Sequence, residues 1–472
     1  MSGGELTRRE FMKAGVRGLG GMAAGMRLRS LKQLQPEARR PNILLVFSDQ
    51  QHWRAAGFQE RFFDTPSLDG LSERATVFDR AFCTTPQCSP SRSSIMTGFY
   101  PSKTGVMGNM GASGGNPLRQ PTIGKVLHEA GYRTGYFGKW HLGGDETATA
   151  GWDEDFGVTG SKSGGDSRVT EKAAEFLASA REAGKPFALF VSYVNPHDIY
   201  RYQQHEFDPS QTKVPLPASW HKEAFEGKPS VQRQFMLEDQ GRHIWGKDEA
   251  EWQRYRDCYR TKVALYDREV GDVLDALQEN GLAEDTVVIA TSDHGDMDGN
   301  HKLICKGPFM YEHMVRIPLI VDVPRRFGGI GPRRVDDFDV VNVDLVPTIL
   351  DFCGIEPGAR DGISLRPVLT GDGVQEKRDY VIGQYYGKQR WVNPIRMLRT
   401  PEFKYNRYVL HGEELYDLGN DPDELVNLAA DPGYSGTRKE LASELDAWIK
   451  ANDDPFYSLV STTRTGEPLG EA

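Results

Sequence analysis

The sequence predicts an α/β fold with a large, mostly parallel β-sheet flanked by helices. Continuous apolar runs are typical of strands buried on both faces of such a sheet, and they occupy 43–47, 187–193, 286–292 and 317–323. Amphipathic helical patterns separate several of these runs, and they cover 168–183, 249–280 and 343–353. Strands that alternate with helices in this way are typical of parallel βαβ units.

The alternation stops in the last quarter of the chain, which predicts a smaller second domain. Between 379 and 420, short runs at 380–386, 403–410 and 413–418 suit an antiparallel sheet, and a helical pattern follows at 436–451. A cluster of turn residues at 370–373 marks the change. We therefore expect a catalytic domain over 39–372 and a C-terminal subdomain over 373–472.

Two segments fall outside this pattern. Residues 1–38 contain Thr7-Arg8-Arg9 ahead of a stretch rich in Gly and Ala, which resembles a twin-arginine export signal. The alternative is an ordinary amphipathic first helix. An export signal predicts a periplasmic, cell-surface or secreted protein. Residues 200–247 show little helical periodicity and are interpreted as an insertion over one edge of the large sheet.

Composition excludes several classes of protein. The chain has 472 residues, of which 38% are hydrophobic and 26% are charged, and only five cysteines. These values are typical of a globular protein with a large core, not of a disordered, collagen-like or disulfide-stapled chain. No apolar run reaches about 18 residues, so no membrane-spanning helix is predicted. The net charge of −10 argues against a broad nucleic-acid-binding surface.

Polar clusters follow three of the predicted strands. Asp49 and Gln50 come after the first, residues 195–198 after the second and residues 293–296 after the third. Ligands gather at the carboxyl ends of parallel strands, so these clusters are expected to converge. Carboxylate and amide oxygens with one histidine suit Ca²⁺ or Mg²⁺ better than Zn²⁺. The pattern therefore predicts a site for a divalent cation.

The segment 88–98 places a cysteine at a turn before a short helix. A nucleophile in that position faces free backbone N–H groups and the positive end of the helix dipole. Arg92 is close enough in sequence to stabilise an oxyanion there. In isolation, the same pattern also fits a buried cysteine ahead of a helix that begins with proline.

This segment, CSPSRSSIMTG, resembles the signature of the type I sulfatases of the alkaline-phosphatase superfamily. A second motif of that family is similar to GYRTGYFGKWH at 131–141. Segments 343–355, 361–369 and 414–428 resemble those that lead into and through the sulfatase C-terminal subdomain. The resemblance spans about 41–430 and implies an alkaline-phosphatase-like sheet followed by a small antiparallel subdomain that carries a helix.

The resemblance implies that Cys88 is oxidised to formylglycine, whose hydrated gem-diol is the nucleophile. It also implies a metal site, for which Ca²⁺ is favoured with Mg²⁺ or Mn²⁺ as alternatives. The implied ligands are Asp49, Gln50, Asp293, His294 and the formylglycine oxygen of residue 88. Gln50 is a departure, because many sulfatases carry a second Asp there. It could bind the metal or only orient other ligands.

Five further residues acquire roles through the same resemblance. Arg92 would stabilise the formylglycine oxygens, and Lys139 would contact sulfate and the diol. His141 would be the base that collapses the hemiacetal. His197 would bind sulfate and protonate the leaving oxygen, and Lys306 would meet sulfate and the bridging oxygen. Residues that could select the substrate are His52, Asp198, Tyr200, Arg201, His301 and Trp391.

The expected function is hydrolysis of sulfate monoesters, on a sulfated carbohydrate or small molecule, after activation by a formylglycine-generating or sulfatase-maturing enzyme. A phosphonate monoester hydrolase or phosphodiesterase with a similar site is the alternative enzyme. A non-catalytic sulfate-binding relative is the alternative of another class. Without Cys88 four cysteines remain, and their spacing does not indicate any pairing: Cys83, Cys258, Cys305 and Cys353.

Overall fold

The protein is represented by a computed structural model that describes residues 40–144, 151–157, 165–373 and 376–469. The predicted leader at 1–38 lies outside the described residues. The strands are, in chain order, β1 (Asn42–Asp49), β2 (Thr76–Phe78), β3 (Ala81–Phe82), β4 (Arg133–Gly138), β5 (Glu154–Gly157), β6 (Phe187–Pro196), β7 (Thr286–Ser292), β8 (Leu319–Asp322), β9 (Arg333–Val335), β10 (Val340–Val341), β11 (Val381–Lys388), β12 (Trp391–Arg399), β13 (Phe403–Tyr408) and β14 (Glu413–Asp417).

The α-helices of the described residues connect and cover these strands. They are, in chain order, α1 (Pro66–Ser72), α2 (Cys88–Thr97), α3 (Pro101–Thr104), α4 (Ile123–Glu129), α5 (Gly165–Ala183), α6 (Ala218–Lys222), α7 (Ser230–Glu238), α8 (Glu249–Glu279), α9 (Glu312–Val315), α10 (Leu345–Phe352), α11 (Arg366–Thr370) and α12 (Ser435–Ala451). None of these helices is long and apolar enough to cross a lipid bilayer.

The large sheet has eight strands in the order β5-β4-β6-β1-β7-β8-β2-β9. The first five of these run parallel to one another, which confirms the predicted α/β class. The run at 317–323 does form strand β8, but β8 is antiparallel to β7. The chain between these two strands contains only short helical turns and no crossover helix, so it returns in the opposite direction.

Strand β1 shows why the predicted strands read as continuous apolar runs. Ile43, Leu45 and Phe47 belong to one buried cluster, whereas Leu44 and Val46 belong to a second cluster that includes the apolar faces of α5 and α8. Successive side chains of a strand point to opposite faces, and both faces of this sheet are covered. Every residue of β1 is therefore buried.

Three predicted helices are observed as α5, α8 and α10, with ends within three residues of the prediction. The insertion at 200–247 is more helical than its sequence pattern indicates, because it contains α6 and α7. Helix α7 is short, but it buries Val231, Phe235 and Met236 on one side. Tertiary burial of this narrow apolar face stabilises a helix whose sequence signal is weak.

The C-terminal strands form an antiparallel sheet in the order β11-β12-β13-β14, and the apolar face of α12 packs on it. Three of these strands coincide with predicted runs, whereas β12 was missed. All of β12 is buried, including Arg396 and Arg399, whose guanidinium groups pair with Asp454 and Glu312. Buried arginines that are neutralised by distant carboxylates hide this strand from a hydrophobicity pattern. The described part of 40–472 forms one compact unit.

Candidate active site

The polar clusters that follow β1, β6 and β7 converge at one edge of the large sheet, as predicted. Asp49, Cys88, Asp293 and His294 are all buried, and one potential ligand atom from each lies within 4.8 Å of those of the others. The parallel register of β1 with both β6 and β7 brings these strand ends together. The tertiary fold thus assembles groups that are up to 245 residues apart in the sequence.

Cys88 is the first residue of α2, rather than part of a turn ahead of the helix. Its predecessor Gln87 is extended, and Pro90 lies inside the first helical turn, where no intrahelical N–H bond is lost. The Cys88 Sγ lies 2.8 Å from Lys306 Nζ, 3.3 Å from His294 Nε2 and 3.5 Å from Asp49 Oδ1. The side chain of residue 88 therefore sits at the centre of the cluster.

Arg92 lies one helical turn after Cys88 and links the two carboxylates. Its Nε donates to Asp293 Oδ2 at 2.9 Å, and Nη2 pairs with Asp49 Oδ2 at 3.2 Å. Nη1 donates to Ser192 Oγ at 2.6 Å, a partner that the sequence did not indicate. Besides the role expected toward the formylglycine oxygens, Arg92 thus has a second one, because its guanidinium holds the carboxylates of Asp49 and Asp293 in place.

Two ammonium groups approach the side chain of residue 88. Lys139 Nζ is 3.8 Å from Cys88 Sγ and forms an ion pair with Asp49, and Lys306 Nζ makes the 2.8 Å contact. Burial opposes ionisation of the Cys88 thiol, but Lys139, Lys306 and His294 outweigh it and hold the pKa of that thiol well below its usual value. The site therefore stabilises negative charge on the side chain of residue 88.

The ring of His294 is oriented by its own chain. Its Nδ1 contacts the carbonyl oxygen of Gly295 at 2.9 Å, which assigns the proton to Nδ1. In the neutral form of the ring, Nε2 therefore carries the lone pair, and it points toward Cys88, Asp49 and Asp293. A backbone acceptor behind a histidine is the arrangement that orients metal-binding imidazoles in proteins.

His197 and His141 also lie beside the side chain of Cys88, and each interacts with it. Burial and the neighbouring Lys139 lower the pKa of His197 to about 4, so its ring is neutral near pH 7 and still has one N–H to donate. The backbone of His141 has φ of 57°, a left-handed conformation that is costly for a residue with a side chain. Its buried Nδ1 has no hydrogen-bond partner among the described atoms.

Gln50 is held at four points. Its φ is 77°, its N–H donates to Asp293 Oδ1 at 3.1 Å, and its carbonyl oxygen accepts from the Tyr259 hydroxyl at 2.8 Å. Its side-chain Oε1 accepts from Lys306 Nζ at 2.8 Å, while Nε2 donates to Asp296 Oδ2 at 2.6 Å. Asp296 lies in the predicted polar cluster, but no individual role was predicted for it.

The residues present fit a hard divalent cation. Asp49, Gln50 and Asp293 offer oxygens, His294 offers Nε2, and an oxygen on residue 88 would complete the set. Oxygen ligands with at most one histidine are the donors that Ca²⁺ and Mg²⁺ take in proteins. The cations Arg92 and Lys139 reduce the net negative charge of this donor set.

The residues considered for substrate selection are dispersed. Tyr200 lies at the site, with its ring 4.8 Å from that of His197 and its hydroxyl 3.4 Å from Gln50 Oε1. His301 instead contacts Glu223 at 2.8 Å and stacks on Tyr311.

The other candidates show no such placement. Trp391 is buried in the main core, and His52 stacks on Tyr259. Arg201 is exposed, and Asp198 is half-buried. Of the six residues, Tyr200 is thus the one for which the described contacts reach the residues around Cys88.

Comparison with known proteins identifies this arrangement. The sulfatase family model matches residues 41–355, and the C-terminal model of N-sulphoglucosamine sulphohydrolase matches residues 299–451. A Δ4,5-hexuronate-2-O-sulfatase of Bacteroides thetaiotaomicron is 29% identical, with 89% of this chain and 91% of that protein covered. An N-acetylglucosamine-6-O-sulfatase of the same species is 27% identical, with 89% and 88% covered.

Solved structures show the same fold. The structure of a 2-O GAG sulfatase superposes with a TM-score of 0.78 at 26% identity, covering 90% of this chain and 95% of that one. A protein in complex with its substrate D-glucosamine-2-N,6-O-disulfate gives a TM-score of 0.76 at 25% identity, covering 89% of this chain and 100% of that one. A phosphonate monoester hydrolase of Agrobacterium radiobacter, at 23% identity and a TM-score of 0.72 with 92% and 100% covered, shares the fold. The chain belongs to the sulfatase family, whose members are hydrolases of sulfate esters.

Proposed function

We propose that this protein is a formylglycine-dependent sulfatase that removes sulfate from a sulfated carbohydrate. The observation that carries the proposal is the position of Cys88, whose Sγ lies within 4 Å of Lys306, His294, Asp49 and Lys139. Relatives named as sulfatases of hexuronate and N-acetylglucosamine support a carbohydrate substrate. The phosphonate hydrolase neighbour supports only the shared fold.

The side chains suit attack on an anionic ester. The negative charge on sulfate oxygens repels an incoming nucleophile. Lys139 and Lys306 lie close enough to residue 88 to neutralise that charge. Neutral His197 can donate an N–H hydrogen bond to a sulfate oxygen. To protonate the leaving oxygen, its ring must first gain a second proton, which the negative charge of bound sulfate favours. His141, which lies beside residue 88, takes the proton whose removal releases sulfate from that residue.

A formylglycine and a divalent cation would supply the remaining chemistry. A hydrated formylglycine at position 88 would supply an oxygen nucleophile that is regenerated without attack of water on sulfur. A Ca²⁺ ion, or in its place Mg²⁺ or Mn²⁺, would be held by Asp49, Gln50, Asp293 and His294 and would supply positive charge at the reacting oxygens. A formylglycine-generating or sulfatase-maturing enzyme is the implied partner.

The test compares substrates and modification state. Protein from its native host is assayed for sulfate release on sulfated mono- and disaccharides, with an aryl phosphonate ester and an aryl phosphate diester as competing classes. Mass spectrometry of the Cys88 peptide should show an aldehyde. Active protein with an unmodified thiol would overturn the mechanism, and faster turnover of the phosphonate ester would overturn the substrate class.

We also propose export through the twin-arginine route, on the basis of Thr7-Arg8-Arg9. Replacing Arg8 and Arg9 by lysine should retain the protein in the cytoplasm of its host. The comparison is the unchanged chain, fractionated in parallel. Equal export of both chains would contradict this proposal.

A further inference from the structure

The side-chain amide of Gln50 has its orientation decided by two opposite charges. Gln50 Oε1 accepts from the Lys306 ammonium at 2.8 Å, and Nε2 donates to the Asp296 carboxylate at 2.6 Å. A flipped amide would place its NH₂ group against the ammonium and its oxygen against the carboxylate. Both contacts would then be repulsive, so the oxygen must face the cluster around Cys88.

Asp296 is itself fixed on its other side. Its Oδ1 accepts from the Tyr255 hydroxyl at 2.8 Å and from the Asp298 backbone N–H at 2.7 Å. The Tyr255 hydroxyl accepts in turn from the Cys305 backbone N–H at 2.8 Å. Asp296 is buried and accepts from three donors, namely the Gln50 amide, the Tyr255 hydroxyl and the Asp298 backbone N–H.

We propose that Asp296 is a positioning residue that makes Gln50 an oxygen ligand for the divalent cation. The inference rests on the proposed function, because it assigns how that cation site is completed. Many sulfatases have a second Asp where this chain has Gln50. Here the negative charge lies on Asp296 and not on residue 50. Asp296 orients the neutral amide of Gln50 so that the amide oxygen faces the cation site. Gln50 and Asp296 therefore act as a pair.

The pairing predicts an exchange of charge. Gln50→Glu alone places two carboxylates in contact, and one of them must then take a proton or move. Asp296→Asn alone leaves a donor unpaired, because an Asn that accepts from Gln50 turns its NH₂ toward the Asp298 N–H. The double variant pairs every group. The amide nitrogen introduced at position 296 would donate to the carboxylate introduced at position 50, and the amide oxygen would accept from Tyr255 and Asp298.

The experiment measures Ca²⁺ affinity by calorimetry on the full-length, metal-stripped protein. Each single variant should bind Ca²⁺ about 10- to 100-fold more weakly than the wild type. The Ca²⁺ affinity of the double variant should return to within about threefold of the wild-type affinity or exceed it. Substitutions at independent sites would not compensate for each other in this way. Mg²⁺ serves as a second probe.

Asp267→Asn is the matched control. Asp267 is a buried carboxylate that accepts the backbone N–H groups of Ser67 and Leu68 at the start of α1, so its replacement leaves the same kind of unpaired donor in a different part of the fold. The unfolding midpoint of Asp267→Asn in EDTA should fall as much as that of Asp296→Asn. The Ca²⁺ affinity of Asp267→Asn should equal that of the wild type.

Several outcomes would overturn the inference. The inference is wrong if Asp296→Asn binds Ca²⁺ as tightly as the wild type, or if the wild type binds neither Ca²⁺ nor Mg²⁺. It is also wrong if the loss of affinity in the double variant equals the sum of the losses in the single variants. The same holds if a single variant binds weakly only because it is unfolded in EDTA and the double variant stays weak. Failure of the proposed function is distinguishable. It would appear as absence of sulfate release by the wild type while the order of Ca²⁺ affinities is kept, and that order supports the inference.

Discussion

The Nζ of Lys306 lies 2.8 Å from the Sγ of Cys88, although 218 residues separate them in the chain. Cys88 begins α2, whereas Lys306 belongs to the loop that returns from β7 to β8. The antiparallel placement of β8 makes this contact possible, because the loop turns back over the edge of the sheet where β1 and β7 end. The ammonium of Lys306, which stabilises an anion at residue 88, therefore comes from this returning loop. A crossover to a parallel strand would have placed the loop differently.

Lys306→Met should raise the pKa of the Cys88 thiol, because burial favours the neutral thiol and a cation that opposes this effect is removed. In unmatured protein with EDTA, the ultraviolet absorbance of the thiolate should then appear at higher pH. Lys302→Met is the control, since Lys302 Nζ contacts the Glu223 carbonyl oxygen instead. An unchanged titration in Lys306→Met would contradict the assigned electrostatics.

Cys88→Ala should abolish sulfate release by at least about 1,000-fold, because it removes the nucleophile while the remaining groups only bind substrate. The unfolding midpoint should change little. Cys258→Ala removes another free, buried cysteine from α8 and should keep its activity per folded molecule. Retained turnover in Cys88→Ala would place the nucleophile elsewhere.

Arg92→Lys should reduce both activity and stability. One ammonium cannot replace a guanidinium that contacts Asp49, Asp293 and Ser192 together, so one buried carboxylate loses its partner. Loss of one partner of a buried ion pair costs about 3–5 kcal/mol of unfolding free energy. Urea unfolding measures this cost, and Arg74→Lys, at an exposed ion pair, should stay within about 0.5 kcal/mol of the wild type.

Glu312→Gln should destabilise the protein by about 3–5 kcal/mol. Glu312 in α9 pairs with Arg399 at 3.0 Å and Lys404 at 2.8 Å, both on the C-terminal sheet, and all three are buried. The exposed Glu440 of α12 gives the control Glu440→Gln, for which no measurable change is expected. Equal urea midpoints for both variants would show that the buried cluster does not join these parts.

Stability should fall as pH drops below about 6.5, partly because of His313. Burial, with His52, Arg54, His301 and Arg256 adding positive charge, holds the pKa of His313 well below 6.5. At pH values between the lowered pKa of folded His313 and about 6.5, the unfolded chain binds a proton at His313 and the folded chain does not. Acid therefore favours unfolding by up to about 1.4 kcal/mol per pH unit.

His313→Gln should therefore flatten the decline in unfolding free energy between pH 6.5 and 5, measured in urea at a series of pH values. His243 is exposed, so His243→Gln should leave the slope unchanged. An identical slope in His313→Gln and the wild type would refute the assignment.

The strands and long helices could be predicted because their signals are local. Strand β7 is observed at the predicted residues, and α8 ends one residue before the predicted end. Strand β12 could not be predicted in the same way, because Arg396 and Arg399 are buried only through the partners Asp454 and Glu312. A local pattern does not show which distant carboxylate neutralises an arginine.

The sequence by itself determined the fold class, the family resemblance and the residues around Cys88, because these depend on apolar periodicity and on short motifs. The tertiary structure alone decided how Gln50 is oriented and what Arg92 contacts. Both depend on groups at least 100 residues away, such as Asp296, Ser192 and Lys306. Hydrogen bonds act over about 3 Å, so their partners are fixed only when the strands and the returning loop have been placed.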